Sequence, residues 1–416
     1  MQLPVLRRLL AVVAVLLCSQ SIAIARQNNT LTLAAAISHA QSASPRRVGA
    51  AAVAQTSVDA FAVAGRLPNP LFEVRAENWS PSARSPALPL DVFAVATQYV
   101  ELGGKRGLRQ SVAGAERDVA HASLAALERA IALETAQAYI GALRARALLE
   151  TLLAHRDGLA TLVAGMSLRV EEGYSAEADL LKFRTEAARN DGDIARARLA
   201  LERSMAALAI AIGAQSTIGP GMLIEPAPLP VPRADVSTIA AAVARHPAVI
   251  AADAARARSM QLAASERARR YPDLAISAGY KRTAGHDTMV LGVALSVPLF
   301  DRNEAAVVRT AGTERASGAD RDAIVQQLSV DAASLIRAAT DIALQAAIAG
   351  NQLLAPAEEV RNAALAAFRE GSTDVLKVID AERVYTDVRR AAVDLRLDAL
   401  LTTLEARLAL GEEAIP

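Results

Sequence analysis

Two periodicities alternate along this chain. Phe72, Val74 and Ala76 alternate with Glu73, Arg75 and Glu77, a period of two that predicts a strand. A Ser/Pro-rich loop follows, and Asp91 to Leu102 then alternates more weakly. The same happens once more. Leu274, Ile276, Ala278 and Tyr280 alternate with Ala275, Ser277, Gly279 and Lys281. Beyond a short loop at Gly285-His286-Asp287, Met289, Leu291, Val293, Leu295 and Val297 alternate with Val290, Gly292, Ala294 and Ser296. Each run is about 8–12 residues, the length of a tilted strand in a membrane. One face is apolar and the other is small, polar or charged. A water-soluble hairpin with one buried face carries the same local pattern.

Between the strand pairs the period changes to that of helix. From Gly104 to about Glu172, and from Arg302 to about Glu370, only isolated glycines and Pro356 interrupt helix formers. Each run predicts a rod of ~100 Å at 1.5 Å per residue, far longer than an ordinary globular helix. The apolar seam steps 3-4-3-4 along Val325, Leu328, Ala332, Leu335, Ala339, Ile342, Ala346 and Ala349. It does so again from Val378, Ala381, Tyr385 and Val388 through Ala392, Leu395, Ala399 and Thr402 to Ala406 and Ala409. Leu180, Phe183, Ala187, Asn190, Ile194, Ala197, Leu201, Ser204 and Leu208 repeat it with polar interruptions. Sustained heptads predict helices pairing by knobs into holes, and so much seam alanine predicts close approach.

The chain repeats itself. Pro45 and Pro70 recur as Pro247 and Pro272, both 202 residues on, and Gly173 recurs as Gly371, 198 residues on. "GRLPNPLFEV" parallels "RRYPDLAISA", and "EEGYSAEADLLK" parallels "FREGSTDVLKVID". Residues 26–216 therefore read as one structural repeat with a β-hairpin at about 71–102. Residues 236–416 read as a second with a hairpin at about 273–299. The Pro/Gly-rich 217–235 reads as a linker.

Composition narrows the function. The 416 residues carry 45 basic and 44 acidic side chains, a net charge of +1, which lacks the electrostatic footprint of a nucleic-acid binder. The single cysteine, Cys18, excludes a disulfide framework or a zinc knuckle. It lies in the leader: Arg7-Arg8, an apolar run from Leu9 to Leu17, then Ala23-Ile24-Ala25, the layout of a signal peptide over residues 1–25. Leu17 stands where a lipid-attachment signal wants a small residue, which argues against lipidation of Cys18. After Ala25 no uninterrupted apolar run reaches ~18 residues, which argues against a helical span. An exported chain of this kind is periplasmic or part of an outer-membrane β-barrel.

The strands are the awkward part. A two-stranded hairpin is not stable alone in water, and free edges invite pairing with another chain. Four strands cannot close a membrane-spanning barrel, which needs about eight. Oligomerisation resolves this, and three copies would supply twelve strands. Edge closure by itself fixes only a multiple of four.

These features resemble the TolC-like outer-membrane factors of bacterial efflux systems, over nearly the whole mature chain. The resemblance is carried by the duplicated layout, "LPNP" at Leu67 to Pro70, and the paired turns at Glu172 to Leu181 and Glu370 to Ile379. Two sharper blocks, "ELGGKR" (Glu101 to Arg106) and "VPLFDRN" (Val297 to Asn303), are similar to the cobalt–zinc–cadmium efflux subgroup. The resemblance implies a mostly α-helical fold: a coiled-coil tunnel plus four strands per chain in a trimeric, twelve-stranded transmembrane β-barrel. It implies outer-membrane lipid around the barrel, a periplasmic adaptor of the membrane-fusion class, and a proton-driven inner-membrane pump of the resistance-nodulation-division class. A passive exit duct for heavy-metal cations follows. A drug, solvent or polypeptide duct of the same family, and a periplasmic coiled-coil scaffold without a pore, are the competing readings.

Candidate residues divide into structural and functional. Gly103-Gly104 predicts the bend from strand to helix, Asp301 an N-cap for a helix starting at Arg302, and Gly173 and Gly371 the periplasmic turns. "GGKR" is not a phosphate loop, because Tyr99 occupies the position of the earlier glycine. In the family, acids just after the second turn ring a closed aperture. By position that role carries to Asp380, with Asp374 nearby, and Lys377 departs from the pattern because an acid is common there. A Lys–Asp pairing between neighbouring helices is one reading of Lys377, and a solvated face is the other. On the strands, Glu73 and Glu77 read either as lumen-facing acids that favour cations, with Arg75 between them, or, more simply, as solvated surface. The five histidines (His39, His121, His155, His246 and His286) show no ligand spacing, and no catalytic motif is present. No enzyme, cofactor or bound metal is expected. A duct that held its ion tightly would not release it.

Overall fold

The structure is a computed structural model and describes residues 30–78, 90–214 and 218–412. The leader and Cys18 lie outside these residues. The first half runs α1 (Leu33–Ala43), α2 (Pro45–Ala64), β1 (Leu71–Glu77), β2 (Asp91–Val100), α3 (Lys105–Glu171) and α4 (Glu177–Ile212). The second runs α5 (Val236–Ala244), α6 (Pro247–Ala268), β3 (Leu274–Thr283), β4 (His286–Leu295), α7 (Glu304–Ala349), α8 (Ala355–Arg369) and α9 (Val375–Ala409). Proline opens α2 and α6 at the first helical turn, where a missing N–H costs nothing.

The four strands form one antiparallel sheet in the order β1-β2-β3-β4, so the two hairpins pair through β2 and β3. The register aligns Phe72, Ala96, Ala278 and Leu291 in one cross-strand row, and Val74, Ala94, Tyr280 and Met289 in the next. Period two then puts the apolar side chains on one face. Phe72, Val74, Met289, Leu291 and Val293 are between 72 and 80% exposed in the single protomer. The other face carries Glu73, Arg75, Glu77, Asp91, Ser277, Lys281 and Thr288 with small residues between. β1 and β4 each pair on one side only within the described residues. An apolar face of this extent and two free edges are not stable in water.

The helices form the rod. α3 spans 67 residues without a break, about 100 Å. Its counterpart is interrupted. A π-helical turn, Gly350–Leu354, separates α7 from α8 just before Pro356. Proline has no N–H and crowds the preceding turn, and the wider turn accommodates it. The Glu304–Arg369 run is also long and apolar enough, by length and composition alone, to cross a bilayer. Its alanine stripe instead packs on α5 and α9.

Three buried clusters hold the rod together. The largest joins α1, α3, α4 and α9 through Leu33, Ile140, Leu143, Leu208, Leu397, Leu400 and Leu404. The second joins α5, α7 and α9 around Val243, Ala332, Ala339 and Ala406. The third lies at the far end from the sheet. Most of the predicted α4 seam is buried, at Leu180, Phe183, Asn190, Ile194, Ala197, Leu201 and Leu208, while Ala187 and Ser204 are half-exposed and the adjacent Glu186 and Met205 are buried in their place. The α9 seam is buried only at its ends. Tyr385, Val388, Ala392, Leu395, Ala399 and Thr402 stay half-exposed, while Leu397, Leu400, Thr403 and Leu404 are buried. α9 turns this second stripe toward α3 of the other half.

The connection between the halves is tied down. Leu31 and Leu223 form a parallel bridge, and Tyr139 is fully buried beneath it. Its hydroxyl lies 2.6 Å from the carbonyls of both Leu31 and Ile224 and accepts from Ile224 N at 3.0 Å. Arg146 donates to the carbonyls of Leu223 and Pro220 at 2.7 and 3.1 Å. Buried backbone groups outside helix and sheet need such partners.

Candidate functional site

At the end of the rod away from the sheet, two helical turns sit side by side. α3 ends at Gly173, φ 79°, where Tyr174 N donates to Arg169 O at 2.8 Å. α8 ends at Gly371, φ 74°, where Ser372 N donates to Ala367 O at 2.9 Å. Both are left-handed C-caps, which glycine adopts without strain. The third cluster locks the turns together through Met166, Leu180, Phe183, Phe368, Val375, Val378 and Ile379. The rings of Phe183 and Phe368 meet edge to face at 5.8 Å. Arg169 lies over the Phe368 ring and donates to the carbonyl of Arg369 at 3.0 Å.

The structure brings Asp374, Lys377 and Asp380 together on one open groove of about 710 Å³ between α4 and α9, with Lys182 opposite. Their roles differ. Asp374 is the N-cap of α9, its carboxylate accepting from Lys377 N at 2.9 Å. Lys182 pairs with Asp179 of its own helix at 2.9 Å. Asp380 is exposed and faces the groove.

Above this apolar tip lies a polar layer that the sequence did not reveal. Arg383 donates from Nε to Glu186 Oε1 at 2.8 Å and from its terminal nitrogen to the second carboxylate oxygen. This hydrogen-bonded guanidinium holds the Glu186 carboxyl below its ordinary range against the opposing effect of burial. Nearby, His155 Nδ1 of α3 lies 3.5 Å from Glu382 Oε2 of α9, both nearly buried. Asn190 donates to Leu152 O at 3.2 Å. Glu186, Arg383, His155 and Asn190 border a cavity of about 480 Å³. His155 and Glu382 belong to different halves, and neither stands in a recognisable motif. Among the described residues no group of three or more His, Cys, Asp or Glu side chains is placed to hold a metal ion.

At the sheet end, the two sharper sequence blocks prove to be rivets between strand, helix and repeat. Gly103 and Gly104, at φ 69° and 74°, turn β2 into α3. Gly103 lies against Tyr271, where a Cβ would come within 2.5 Å of the ring. Lys105 pairs with Asp273 at 2.7 Å, and Arg109 pairs with Glu101 and donates to the carbonyls of Ala64 and Arg66 at the end of α2. In the second half, Asn303 donates to the carbonyl and carboxylate of Glu266 at 3.0 and 2.6 Å. Asp301 corrects the sequence expectation. α7 begins at Glu304, not Arg302, and Asp301 accepts from Asn303 N at 2.8 Å two residues on. Asn303, left-handed at φ 62°, is the boundary residue, so Asp301 shapes the turn before the helix instead of capping it.

Known proteins share this architecture. The sequence model of the outer membrane efflux protein family matches residues 238–412. The cobalt-zinc-cadmium resistance protein CzcC of Cupriavidus metallidurans is 28% identical over 367 residues, covering 86% of this chain and 85% of CzcC. The nickel-cobalt-cadmium resistance protein NccC of Alcaligenes xylosoxydans xylosoxydans is 29% identical over 286 residues, covering 63% of this chain and 62% of NccC. Among solved structures, CusC superposes with a TM-score of 0.79 at 16% identity, covering 93% of each chain, which establishes the fold. The family's sequence pattern thus lies in the second half of the chain, and the fold of these solved structures extends over nearly all of the described residues.

Proposed function

We propose that this protein is the outer-membrane exit duct of a tripartite efflux system for heavy-metal cations. The observation that carries the reading is the sheet: four strands, one bare apolar face and two free edges, mounted on a rod of about 100 Å. Three copies joined β4 to β1 give twelve strands, enough to close a barrel whose apolar face meets lipid. The helical rods then extend into the periplasm as a tunnel. The tip turns at Gly173 and Gly371 form its inner mouth, where a periplasmic adaptor joins it to a proton-driven pump of the inner membrane. Asp380 lines that mouth. The protein performs no catalysis in this reading. The cations pass through it as cargo, driven by the pump.

Similarity to two metal-resistance proteins, one covering most of the chain, supports metal cargo. A deletion strain challenged with zinc, cobalt, cadmium, nickel and copper salts tests it. Sensitivity to one or more of these metals, restored by the wild-type gene, is the expected result. Sensitivity to dyes and detergents with no change toward the metals overturns the cargo.

A further inference from the structure

We propose that Arg75, Phe93 and Lys281 form a constriction at the loop end of the duct, one that sorts solutes by size while its charge is cancelled. The inference rests on the reading of the sheet as a third of a barrel with its polar face inward. The register places Arg75, Phe93 and Lys281 side by side on three neighbouring strands of that face. The Arg75 guanidinium carbon lies 4.8 Å from the centre of the Phe93 ring, and Lys281 Nζ lies 4.7 Å from it. Two cations drawn to one π-face system prop the ring between their side chains.

Both cations are themselves paired. Arg75 Nε is 3.1 Å from Glu77, and Lys281 Nζ is 3.2 Å from Asp91. Glu77 and Asp91 face each other in the next row of the same face. That row lies roughly 7 Å further along the strands, near the hairpin turns and away from the helices. Within these two rows the opposite charges are equal in number and leave little net field, and Glu73 is an acid in the row on the other side of the ring.

On β3 and β4 the rest of this face is narrow in side chain, while β1 and β2 add Leu71, Glu73, Val95 and Thr97. Ala275, Ser277 and Gly279 of β3 stand beside Ala294, Gly292 and Val290 of β4. The other inward aromatic of the sheet, Tyr99, sits near the helix end opposite Ala275. Three copies would therefore gather three phenylalanines and six long cationic side chains into one bulky ring above a wall that is small in side chain on β3 and β4. Such a ring limits the size of what passes. Because its charges are paired, it neither holds nor repels a small cation, as a metal exit requires.

The test uses Ser277→Cys as a reporter, two rows below the ring on the same face. The only natural cysteine is Cys18, and Cys18→Ser removes it. Intact cells are treated with maleimide–polyethylene glycols of increasing mass, and with small cationic and anionic methanethiosulfonates. The expected result is labelling by small reagents of either sign at similar rates and exclusion of large ones. Phe93→Ala should raise the size limit, Phe93→Leu should raise it less, and Asp91→Asn should speed the anionic reagent several-fold over the cationic one. The amount of each variant extracted from outer membranes controls for folding. A size limit unchanged by both Phe93 substitutions overturns the constriction and leaves the duct intact. Failure of the smallest reagents to reach the reporter thiol overturns the inward face itself, and the duct reading with it.

Discussion

Arg383 of α9 grips both carboxylate oxygens of Glu186 on α4, a residue 197 positions earlier, and so ties the second half of the chain to the first just above the tip. Glu186 is 7% exposed, whereas the Arg383 side chain is 46% exposed. The two partners are therefore unequal. Arg383→Ala strands a buried carboxylate and should cost about 2–3 kcal/mol, between the values for exposed and fully buried pairs. Glu186→Gln leaves a half-exposed guanidinium that water can serve, and should cost about 1–2 kcal/mol. Thermal unfolding of the detergent-solubilised protein measures both.

The pH dependence follows from the same pair. Arg383 depresses the folded-state pKa of Glu186 below its ordinary 4.5. A depressed carboxylate contributes stability that is present above the unfolded value and lost as pH falls through the folded one. The gap in thermal midpoint between wild type and Glu186→Gln should stay constant from about pH 8 to 5.5 and narrow below about 4.5. A gap that widens on acidification would contradict the assignment.

Gly103 and Gly104 are neighbours with nearly the same φ, yet they should not respond alike. A Cβ at Gly104 meets nothing within 4 Å, so Gly104→Ala carries only the left-handed backbone cost of about 1–2 kcal/mol. At Gly103 the Cβ collides with Tyr271 as well, which adds overpacking of about 1–3 kcal/mol. Tyr271→Ala combined with Gly103→Ala should relieve the second part and not the first. A double-mutant cycle on thermal stability reads the difference.

Asp374 and Asp380 lie on one groove and separate by assay. Asp374→Ala removes the N-cap of α9 and should lower stability by about 1 kcal/mol. Asp380→Ala removes an exposed side chain without a cap bond, so stability should move by less than about 0.5 kcal/mol. Single-channel conductance in a planar bilayer should rise for Asp380→Ala if it guards the mouth. An unchanged conductance removes Asp380 from that role.

Pro356 follows a π-turn that already absorbs its missing hydrogen bond. Proline inside a regular helix costs about 3 kcal/mol. Here Pro356→Ala should gain less than about 1 kcal/mol, because the surrounding backbone is built around the proline. A gain near the full value in thermal melts would mean that the π-turn accommodates nothing.

Legibility in the sequence followed contrast. The α4 seam stood out because Leu180, Phe183, Ile194 and Leu201 are large and their neighbours are charged. The strands stood out because Phe72 and Val74 alternate with ionised groups, and the tip turns because Gly173 and Gly371 recur at one spacing. The α9 core did not. Leu397, Leu400 and Leu404 step by the same 3-4 interval as Leu395, Ala399 and Thr402, and an alanine-rich helix offers two stripes of similar character. Only the packing partner chooses between them. The polar layer was invisible for another reason. His155 and Glu382 meet because two long helices lie at one level, a distance relation that no local spacing encodes. Asp301 was misread because Asp is a frequent N-cap, while Asn303, two residues on, takes the left-handed conformation that delays the helix.

A sealed duct requires that the free edges of β1 and β4 be closed by identical neighbours. The most direct measurement is the native mass of the particle extracted by detergent from outer membranes. Three protomers, with a cysteine placed on β1 crosslinking to a cysteine placed on β4 of a neighbouring copy, is the predicted result. A monomer released without detergent, its edge strands unreactive toward a second copy, would contradict the barrel and the duct together.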